Sequence, residues 1–335
     1  MVLYPSKQRP NCMNQNNFTD DIENTGKTVE QRFLVEGECD GFRLDKFLCK
    51  KIKRLSRNRI QRVIEGECTI DGKQAKSSRK VYTGQEVRFI RPAPQEPIVP
   101  KDFSIVLEDK NFYVIDKPAG LPVHPSAKYH YSTLTAALKE RFPTEHLQIA
   151  HRLDKETSGL VLIARNKKAA STLKQAFAHR EVEKYYKAIV HGHSTDDEFT
   201  VDLSIGPDSQ SKVRVKMGHV PIEKGGQSAL THVKVLQRFS SHMLVECQPF
   251  TGRQHQIRVH LSCVGHPIVG DKMYPNEEIF LKYIEGGEEA VMNLLPIGRQ
   301  ALHAAKLVFR HPDTKETIVV QSELPQELSD FLQTL

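Results

Sequence analysis

The segment HRLDKETSGL (His151 to Leu160) carries the residues of this sequence that are best suited to chemistry. Asp154 stands between Arg152 and Lys155, and neighbouring positive charge favours the ionised form of a carboxyl group, so its pKa should be lowered. An ionised carboxylate can act as a nucleophile or as a base. The segment runs into the apolar stretch Leu160 to Ala164, which predicts a polar loop mounted on a rigid strand. Taken alone, an Asp in a loop is more often a turn former or a helix cap, so both interpretations stay open here.

A second polar cluster lies in PFTGRQHQIRVHLSCVGHPIVGDKMY (Pro249 to Tyr274). Thr251 followed by Gln254 has the form of a capping box, which predicts a helix that begins at Thr251 and ends near Gly265. The positive end of such a helix can hold an anion or a carboxylate from elsewhere in the fold. The basic residues expected to be exposed at that end are Arg253, His255 and Arg258.

The histidines of this cluster, His255, His260 and His266, could suggest a metal site. Their spacings match no common ligand pattern, and no carboxylate is placed to complete a ligand set, so we expect no metal. The sequence also contains neither GxGxxG nor GxxxxGK[ST], so no nucleotide cofactor is expected. The six cysteines are scattered without a CxxC pair, which favours a reducing, intracellular setting.

A third segment, DKPAGLPVHPS (Asp116 to Ser126), predicts a rigid, proline-rich loop that follows a strand. It places Lys117 and His124 near the end of that strand. A purely structural turn is at least as good an interpretation as direct chemistry, so we assign both residues supporting roles only.

Positive charge is concentrated in one stretch of the 335 residues. The whole chain carries +7, whereas Gly41 to Arg91 alone contains 15 Lys and Arg against 5 Asp and Glu, a surplus of ten. Apolar spacing predicts two short amphipathic helices there, from Arg43 and from Ser56, with basic solvated sides, followed by short strands. A concentrated cationic face attracts phosphate, and arginine-rich helices suit folded RNA. The alternatives are a solvated helical surface and a membrane-surface or calmodulin-binding helix.

Composition divides the chain into four expected parts. Residues 1–40 read as a disordered or extended tail, 41–91 as the basic module, 92–100 as a linker and 101–335 as one large domain. The linker lies in RPAPQEPIVP, whose four prolines in ten residues predict a stiff, extended spacer. Apolar runs are short, so we expect no membrane span.

Two sets of motifs resemble known families. RLDKFL, SRNRIQRVIEGE, IDGK and VYTGQEVRF follow the order of the S-four RNA-binding fold. HRLD with TSGL resembles the hallmark of the RluA-type pseudouridine synthases. Further motifs of that family are KPAGLPVHP, TGRQHQIRVHL with GHPIVGD, VEKYYKAIVHG and LHAAKLVFRHP. Several long motifs in order are far more specific than any short one.

The resemblance implies an α+β fold: a small helical/β RNA-binding domain, then a large mixed, mostly antiparallel β-sheet catalytic domain with flanking helices. It implies isomerisation of specific uridines to pseudouridine in structured RNA, most commonly large-subunit ribosomal RNA, with transfer RNA as another known substrate. That reaction breaks the bond from ribose to a ring nitrogen, rotates the base and rejoins ribose to a ring carbon. It needs no cofactor.

Residue by residue, the resemblance makes Asp154 the catalytic carboxylate. It places the active-site tyrosine at Tyr186 rather than Tyr185, because Lys184 and Ala188 fix the register of the K-x-Y-x-A strand. It also makes Arg258 the partner that orients Asp154. Three first steps stay open for Asp154: attack on the anomeric carbon, addition to the uracil ring, or removal of a sugar proton. The residues expected to flip or contact the substrate are Arg152, His151, Thr157, Arg253 and His255.

The resemblance further implies a cytoplasmic enzyme whose partner is RNA, and we expect it to be monomeric. The side chains expected to bind RNA in the basic module are Arg43, Lys46, Lys53, Arg54, Arg57, Arg59, Arg62 and Lys76. One alternative is a non-catalytic RNA-binding or ribosome-assembly protein that has kept the fold. Another is an aspartate-dependent nucleosidase or glycosidase that acts on small molecules.

Overall fold

A computed structural model gives the fold and describes residues 23–24, 28–52, 57–92, 96–126 and 129–335. The chain divides into two compact units, the first ending at residue 95 and the second running from Glu96 to Leu335. No helix of the described residues is long and apolar enough to cross a membrane.

The first unit packs two helices against an antiparallel sheet of order β1-β2-β5-β3-β4. Its elements are β1 (Glu23–Asn24), β2 (Thr28–Leu34), α1 (Leu44–Lys51), α2 (Arg57–Glu65), β3 (Glu67–Ile70), β4 (Lys73–Gln74) and β5 (Glu86–Pro92). Phe47 and Leu48 of α1 and Ile60 of α2 are fully buried with Phe89 of β5 in one apolar core. The two basic amphipathic helices predicted from apolar spacing are therefore present.

The tail expected over residues 1–40 needs correction in its last part. Strand β2 pairs with β5 along its whole length, and Gly37–Cys39 forms a short 3-10 helix whose Cys39 is buried. The ring of Phe33 stacks on Phe89 with a centroid distance of 6.2 Å. The residues before Phe33 are mostly polar and show no apolar alternation, so the periodicity is too weak to reveal a strand that its pairing with β5 stabilises.

The linker expected over residues 92–100 is fixed at its second end. The carboxylate of Glu96 accepts hydrogen bonds of 2.7–2.9 Å from the backbone N–H groups of His130, Tyr131 and Ser132. Val99 packs against the core of the second unit. From Glu96 onward the proline-rich stretch is therefore part of the second unit and not a free spacer.

The second unit is built on a large sheet of order β11-β14-β15-β10-β16-β9-β7-β6, with β17 beside β16 and β8 beside β9. All of its pairings are antiparallel except that of β9 with β16. The strands are β6 (Ser104–Glu108), β7 (Phe112–Lys117), β8 (Gln148–Ile149), β9 (Ser158–Ala164), β10 (Glu183–His191), β11 (Glu198–Asp202), β12 (Ile205–Pro207), β13 (Met217–His219), β14 (Leu230–Arg238), β15 (His242–Pro249), β16 (Leu302–Arg310) and β17 (Thr317–Gln321). Strands β12 and β13 form a separate hairpin.

Helices cover both faces of the sheet around β9. They are α3 (Leu134–Arg141), α4 (Lys167–Ala178), α5 (Gln256–Cys263), α6 (Glu277–Gly286) and α7 (Gln326–Gln333), with a 3-10 turn at Ile222–Lys224. Val161 and Ile163 of β9 pack with α3, whereas Leu160 and Leu162 pack with α4. Burial on both faces explains why the strand reads as a continuous apolar run. The architecture confirms the predicted α+β class with a mostly antiparallel sheet.

We predict that Gly159→Ala destabilises the second unit more than an ordinary surface change. Gly159 has φ +110°, and an added Cβ would overlap the backbone of Ala304 on the parallel strand β16. We expect a loss of about 2–4 kcal/mol in the free energy of unfolding, measured in urea. The matched control is Gly265→Ala, where φ is +83° but no atom lies within 4 Å, so only about 1 kcal/mol should be lost. Equal losses would contradict the close approach of β9 and β16.

Candidate active site

A cleft with a volume of about 510 Å³ brings the predicted site residues of the second unit together. The loop before β9, the start of β10 and the first turn of α5 supply its walls. Its charged lining residues are Arg152, Asp154, Arg180, Lys184, Arg253 and Arg258. Asp154 is thus the one carboxylate among the described residues that line the cleft, and five cationic side chains share that lining.

A buried ion triplet holds Asp154. Arg258 donates from Nη1 to Asp154 Oδ2 at 2.8 Å, and from Nε and Nη2 to both carboxylate oxygens of Asp271 at 2.7 and 3.0 Å. Asp271 also accepts hydrogen bonds from the backbone N–H groups of Met273 and Tyr274, and its side chain is fully buried. All three of these N–H groups point at carboxylate oxygens, so the guanidinium is held in one orientation.

The helix that presents Arg258 begins later than the sequence indicates. The predicted capping box of Thr251 and Gln254 does not form, because α5 begins at Gln256 and its N-cap is His255 in the left-handed conformation, with φ 57°. The side chain of Gln256 accepts hydrogen bonds from the Thr251 hydroxyl and from the Arg253 backbone N–H. The Thr251 hydroxyl, which the capping box would have used, is thus bound to Gln256 instead. Arg258 therefore lies in the first turn, where it is buried and not exposed as expected.

The surroundings keep Asp154 ionised. Burial raises the pKa of this carboxyl, but the charge and hydrogen bond of Arg258 and the charge of Arg152 lower it by more, so that the pKa lies below its usual value. The side chain of Asp154 is still 23% exposed toward the cleft. A carboxylate that is both ionised and accessible can act as a nucleophile or a base on a bound substrate.

The structure places Tyr186, and not Tyr185, in the cleft. A β-bulge between these two residues shifts the pairing of β10 with β16. The Tyr185 hydroxyl instead donates to Glu183 and accepts from Gln248 outside the cleft. Burial and the negative charge of Asp154 raise the pKa of Tyr186, so its phenol stays protonated at neutral pH. It can contact a base or donate a hydrogen bond, but it cannot act as a base.

His255 lies beside Asp154 and is held by Tyr274. Its Nε2 is 4.0 Å from Asp154 Oδ2, and its Nδ1 is 3.1 Å from the Tyr274 hydroxyl. Burial and the charge of Arg258 lower the pKa of His255 to about 4, so the imidazole is neutral near pH 7. A neutral ring can form a hydrogen bond to a substrate without competing for the charge of Asp154.

The remaining residues that were predicted to contact the substrate differ in their surroundings. His151 accepts a hydrogen bond from the Leu162 backbone N–H and stacks on Phe177 at 4.6 Å. Thr157 is buried and accepts a hydrogen bond from Gln300, so both residues build the cleft wall. Arg152 is exposed and has no hydrogen bond or ion pair to any residue that the structure describes.

Arg253 also lines the cleft, and its Nε donates to the Ser228 carbonyl at 3.1 Å. The loop residues Lys117 and His124 are not among the residues that line it. The buried ammonium of Lys117 donates to the carbonyls of Pro118, Leu121 and Lys155 at 2.7–3.3 Å and so ties its loop to the residue after Asp154. His124 is exposed and contacts Thr135.

The three histidines of the second polar cluster have separate partners. His260 contacts the Thr231 hydroxyl and the Leu203 carbonyl, and His266 contacts the His191 carbonyl. Across the described parts of the chain, His, Cys, Asp and Glu form no group that could hold a metal ion.

Sequence reasoning missed four residues of the site: Asp271, Tyr274, Arg180 and Lys184. Asp271 and Tyr274 lie in the motif segment that also contains Arg258. The carboxylate of Asp271 in that segment was the one signal that could have indicated a partner for Arg258. Nothing local indicates that it meets Arg258, because their contact depends on how the chain returns after α5.

The basic surface of the first unit contains a second buried carboxylate. Asp45 is fully buried and accepts hydrogen bonds from Arg43 at 3.0 and 3.2 Å and from Arg57 at 3.1 Å. These bonds orient two of the predicted RNA-binding arginines, whose side chains stay 46% and 63% exposed. The contact with Arg43 is the largest influence that lowers the pKa of Asp45, to about 2.

The other predicted RNA-binding residues differ in their surroundings. Lys46 lies over the Phe42 ring at 4.6 Å, and Arg62 and Lys76 are exposed. Lys53 and Arg54, together with the side chain of Arg59, lie outside the described residues.

We predict that Asp271→Asn destabilises the second unit, because it removes one charge from a buried triplet and leaves Arg258 with a single carboxylate partner. The expected loss in the free energy of unfolding is about 2–3 kcal/mol, measured by urea denaturation at pH 7. Asp202→Asn, on an exposed carboxylate of β11, is the control and should change stability by less than about 0.5 kcal/mol. If the two variants were equally stable, Asp271 would not be the anchor of Arg258.

Known proteins are similar to this chain in sequence and in fold. The sequence profile described as RNA pseudouridylate synthase matches residues 111–263. An uncharacterized RNA pseudouridine synthase, YlyB of Bacillus subtilis, is 33% identical over 305 residues, which cover 88% of this chain and 94% of the relative. Ribosomal large subunit pseudouridine synthase D of Neisseria meningitidis is 34% identical over 336 residues, which cover 96% of this chain and 87% of the relative.

A solved structure is also similar. Human RNA Pseudouridylate Synthase Domain Containing 4 superimposes with a TM-score of 0.55 at 30% identity, over 69% of this chain and 92% of that chain. Identity above 30% along most of both sequences, together with the matching fold, shows that this chain belongs to the RNA pseudouridylate synthase family of RluA type, the enzymes that isomerise uridine to pseudouridine in RNA.

Proposed function

We propose that this enzyme modifies specific uridines of large-subunit ribosomal RNA, with Asp154 as its catalytic carboxylate acting on a uridine flipped into the cleft. The observation that carries the proposal is the contact of 2.8 Å between Asp154 and Arg258, which holds an ionised and accessible carboxylate in a cationic cleft. Each of the three possible first steps requires that state of Asp154.

The other groups of the cleft fit supporting roles in this proposal. Tyr186 stays protonated, so it serves as a surface for the base or as a hydrogen-bond donor. Neutral His255 is close enough to contact the same substrate as Asp154. Arg152 is free to take the place that the uridine leaves, which offsets part of the few kcal/mol that flipping costs. His151, Thr157 and Arg253 shape and line the pocket.

Hydrolysis of small nucleosides or glycosides is supported less well. Such enzymes use a second carboxyl group as an acid, roughly 5–9 Å from the first. Asp271 lies on the far side of Arg258, where it is fully buried and bound through both oxygens. It cannot donate a proton to a leaving group, and Asp154 is the single carboxylate among the described lining residues.

The ribosomal substrate is supported by the relatives and by the first unit. One relative is named as a ribosomal large subunit pseudouridine synthase. Residues 41–91 carry the surplus of positive charge, and Arg62 and Lys76 are exposed there while Asp45 orients Arg43 and Arg57. We propose that this module grips folded RNA through its phosphates. The same proposal includes a monomer acting in the cytoplasm, where ribosomal RNA is found.

We predict that Asp154→Asn abolishes product formation and keeps RNA binding. The amide preserves the shape of the side chain but removes the charge that the reaction needs, so kcat should fall on the order of 10³-fold or more. Tritium release from labelled uridine measures turnover, and a filter-binding assay measures the RNA Kd. Asp202→Asn is the matched control and should keep both values. Undiminished turnover by Asp154→Asn would refute the catalytic assignment.

We predict that deleting the gene removes pseudouridines from large-subunit ribosomal RNA. Mapping of pseudouridine across total RNA from cells with and without the gene tests this directly. Restoring the wild-type gene should return every lost position, whereas the Asp154→Asn gene should return none. Losses confined to transfer RNA would overturn the ribosomal substrate while leaving the isomerase activity intact.

A further inference from the structure

The five cations of the cleft differ in how they are bonded. Arg258 is neutralised by two carboxylates, Lys184 donates to the Thr251 carbonyl at 3.2 Å, and Arg253 donates to the Ser228 carbonyl. Within the described parts of the chain, Arg152 and Arg180 have neither a side-chain hydrogen bond nor an ion pair. Arg152 already has a proposed role beside the flipped base, whereas Arg180 has none.

Arg180 adopts a backbone conformation that arginine rarely takes. It follows the C-terminal end of α4 with φ 64°, in the left-handed region where a helix most often ends on glycine. The reversal of the chain there is fixed by hydrogen bonds from the backbone N–H groups of Arg180 and Glu181 to the carbonyls of Phe177 and Ala176. A left-handed residue with a side chain costs about 1 kcal/mol relative to glycine. Residue 180 thus carries this cost in free energy for an arginine side chain that no described residue binds.

The neighbours of Arg180 form an anion-attracting end of the cleft. Arg180 and Lys184 both line the cleft. The pKa of Lys184 is lowered first by burial and next by the positive charge of Arg180. Phe177 lies in the same wall with its ring stacked on His151. Two adjacent cations without a carboxylate partner repel each other, and a bound anion relieves that repulsion.

We propose that Arg180 and Lys184 form a binding site for one phosphodiester group of the RNA backbone next to the target uridine. This proposal rests on the proposed function, in which the cleft receives a flipped uridine. The planar guanidinium of Arg180 suits a bidentate contact with two phosphate oxygens, and Lys184 adds a point charge beside it. A nucleotide rotates about its backbone when it flips, so a phosphate held at the mouth of the cleft limits its return to the stack.

The test uses full-length protein and a large-subunit ribosomal RNA fragment that the wild-type enzyme modifies. We expect Arg180→Gln to weaken the RNA Kd about tenfold near 0.15 M salt and to reduce the slope of log K against log salt by about 0.7–0.9. Arg180→Lys should recover part of the affinity. Lys167→Gln, on an exposed lysine at the start of α4 that does not line the cleft, is the matched control and should bind RNA like the wild type.

A glycine variant separates binding from folding. Arg180→Gly relieves the left-handed strain, so its thermal stability should equal or exceed that of the wild type while its RNA affinity falls as in Arg180→Gln. If Arg180 served only to end the helix, Arg180→Gly would bind RNA like the wild type, and the proposal would be wrong.

The partner phosphate can be identified with uncharged methylphosphonate linkages placed one at a time on either side of the target uridine. One linkage should weaken binding by the wild type about tenfold and leave the Kd of Arg180→Gln unchanged. Equal weakening of both proteins at every linkage would overturn the proposal. Because these readouts are affinities, they do not depend on turnover. If Asp154→Asn bound the RNA normally and still modified it, only the catalytic proposal would be contradicted.

Discussion

The site depends on one constraint: the buried guanidinium of Arg258 must be compensated by charge. Its partners come from two separate parts of the chain, Asp154 before β9 and Asp271 after α5. Leaving a buried charge unpaired costs several kcal/mol, so the three side chains fix one another once the sheet has formed. Asp271 is fully enclosed and accepts hydrogen bonds from two N–H groups of Arg258, and a third N–H group binds Asp154. The accessible carboxylate is therefore oriented by an arginine that is itself anchored from behind.

The loop that carries Asp154 is held rigid because the residues after Asp154 bond to other parts of the second unit. The ammonium of Lys155 donates to the hydroxyls of Tyr129 and Tyr283, at 3.2 and 2.8 Å, and its carbonyl accepts from Lys117. The next residue, Glu156, pairs with Lys272 at 2.8 Å. Several of these anchors belong to residues 274–300 or adjoin them, although no motif marks that stretch of sequence. Through Tyr283 this stretch helps to hold the loop that carries Asp154, and preorganisation of this kind is what a site needs to act on a substrate in one geometry.

Sequence reasoning succeeded where a pattern is repeated or a register is fixed. It identified the helices α1 and α2, the strand β9 and the choice of Tyr186 over Tyr185, since Lys184 and Ala188 set the alternation along β10. It failed where a side chain had two possible partners. Gln256 takes the hydroxyl of Thr251 and so displaces the capping box, and His255 adopts a left-handed conformation that no local propensity indicates. The contact of Asp271 with Arg258 depends on long-range packing, which periodicity does not report.

Four arginines, Arg43, Arg57, Arg152 and Arg180, fall into two physical classes, and the difference bears on how the proposed RNA binding is divided. Arg43 and Arg57 share the buried carboxylate of Asp45, so they are oriented but partly neutralised before any ligand arrives. Such residues suit recognition of shape, because little conformational entropy remains to be lost. Arg152 and Arg180 have no partner among the described residues, so they retain their full charge for an incoming phosphate or base. A cleft whose described lining holds one carboxylate and several cations concentrates that unused charge where we propose that the reaction occurs. On the proposals above, general affinity for RNA and local capture of the nucleotide can therefore change independently of each other.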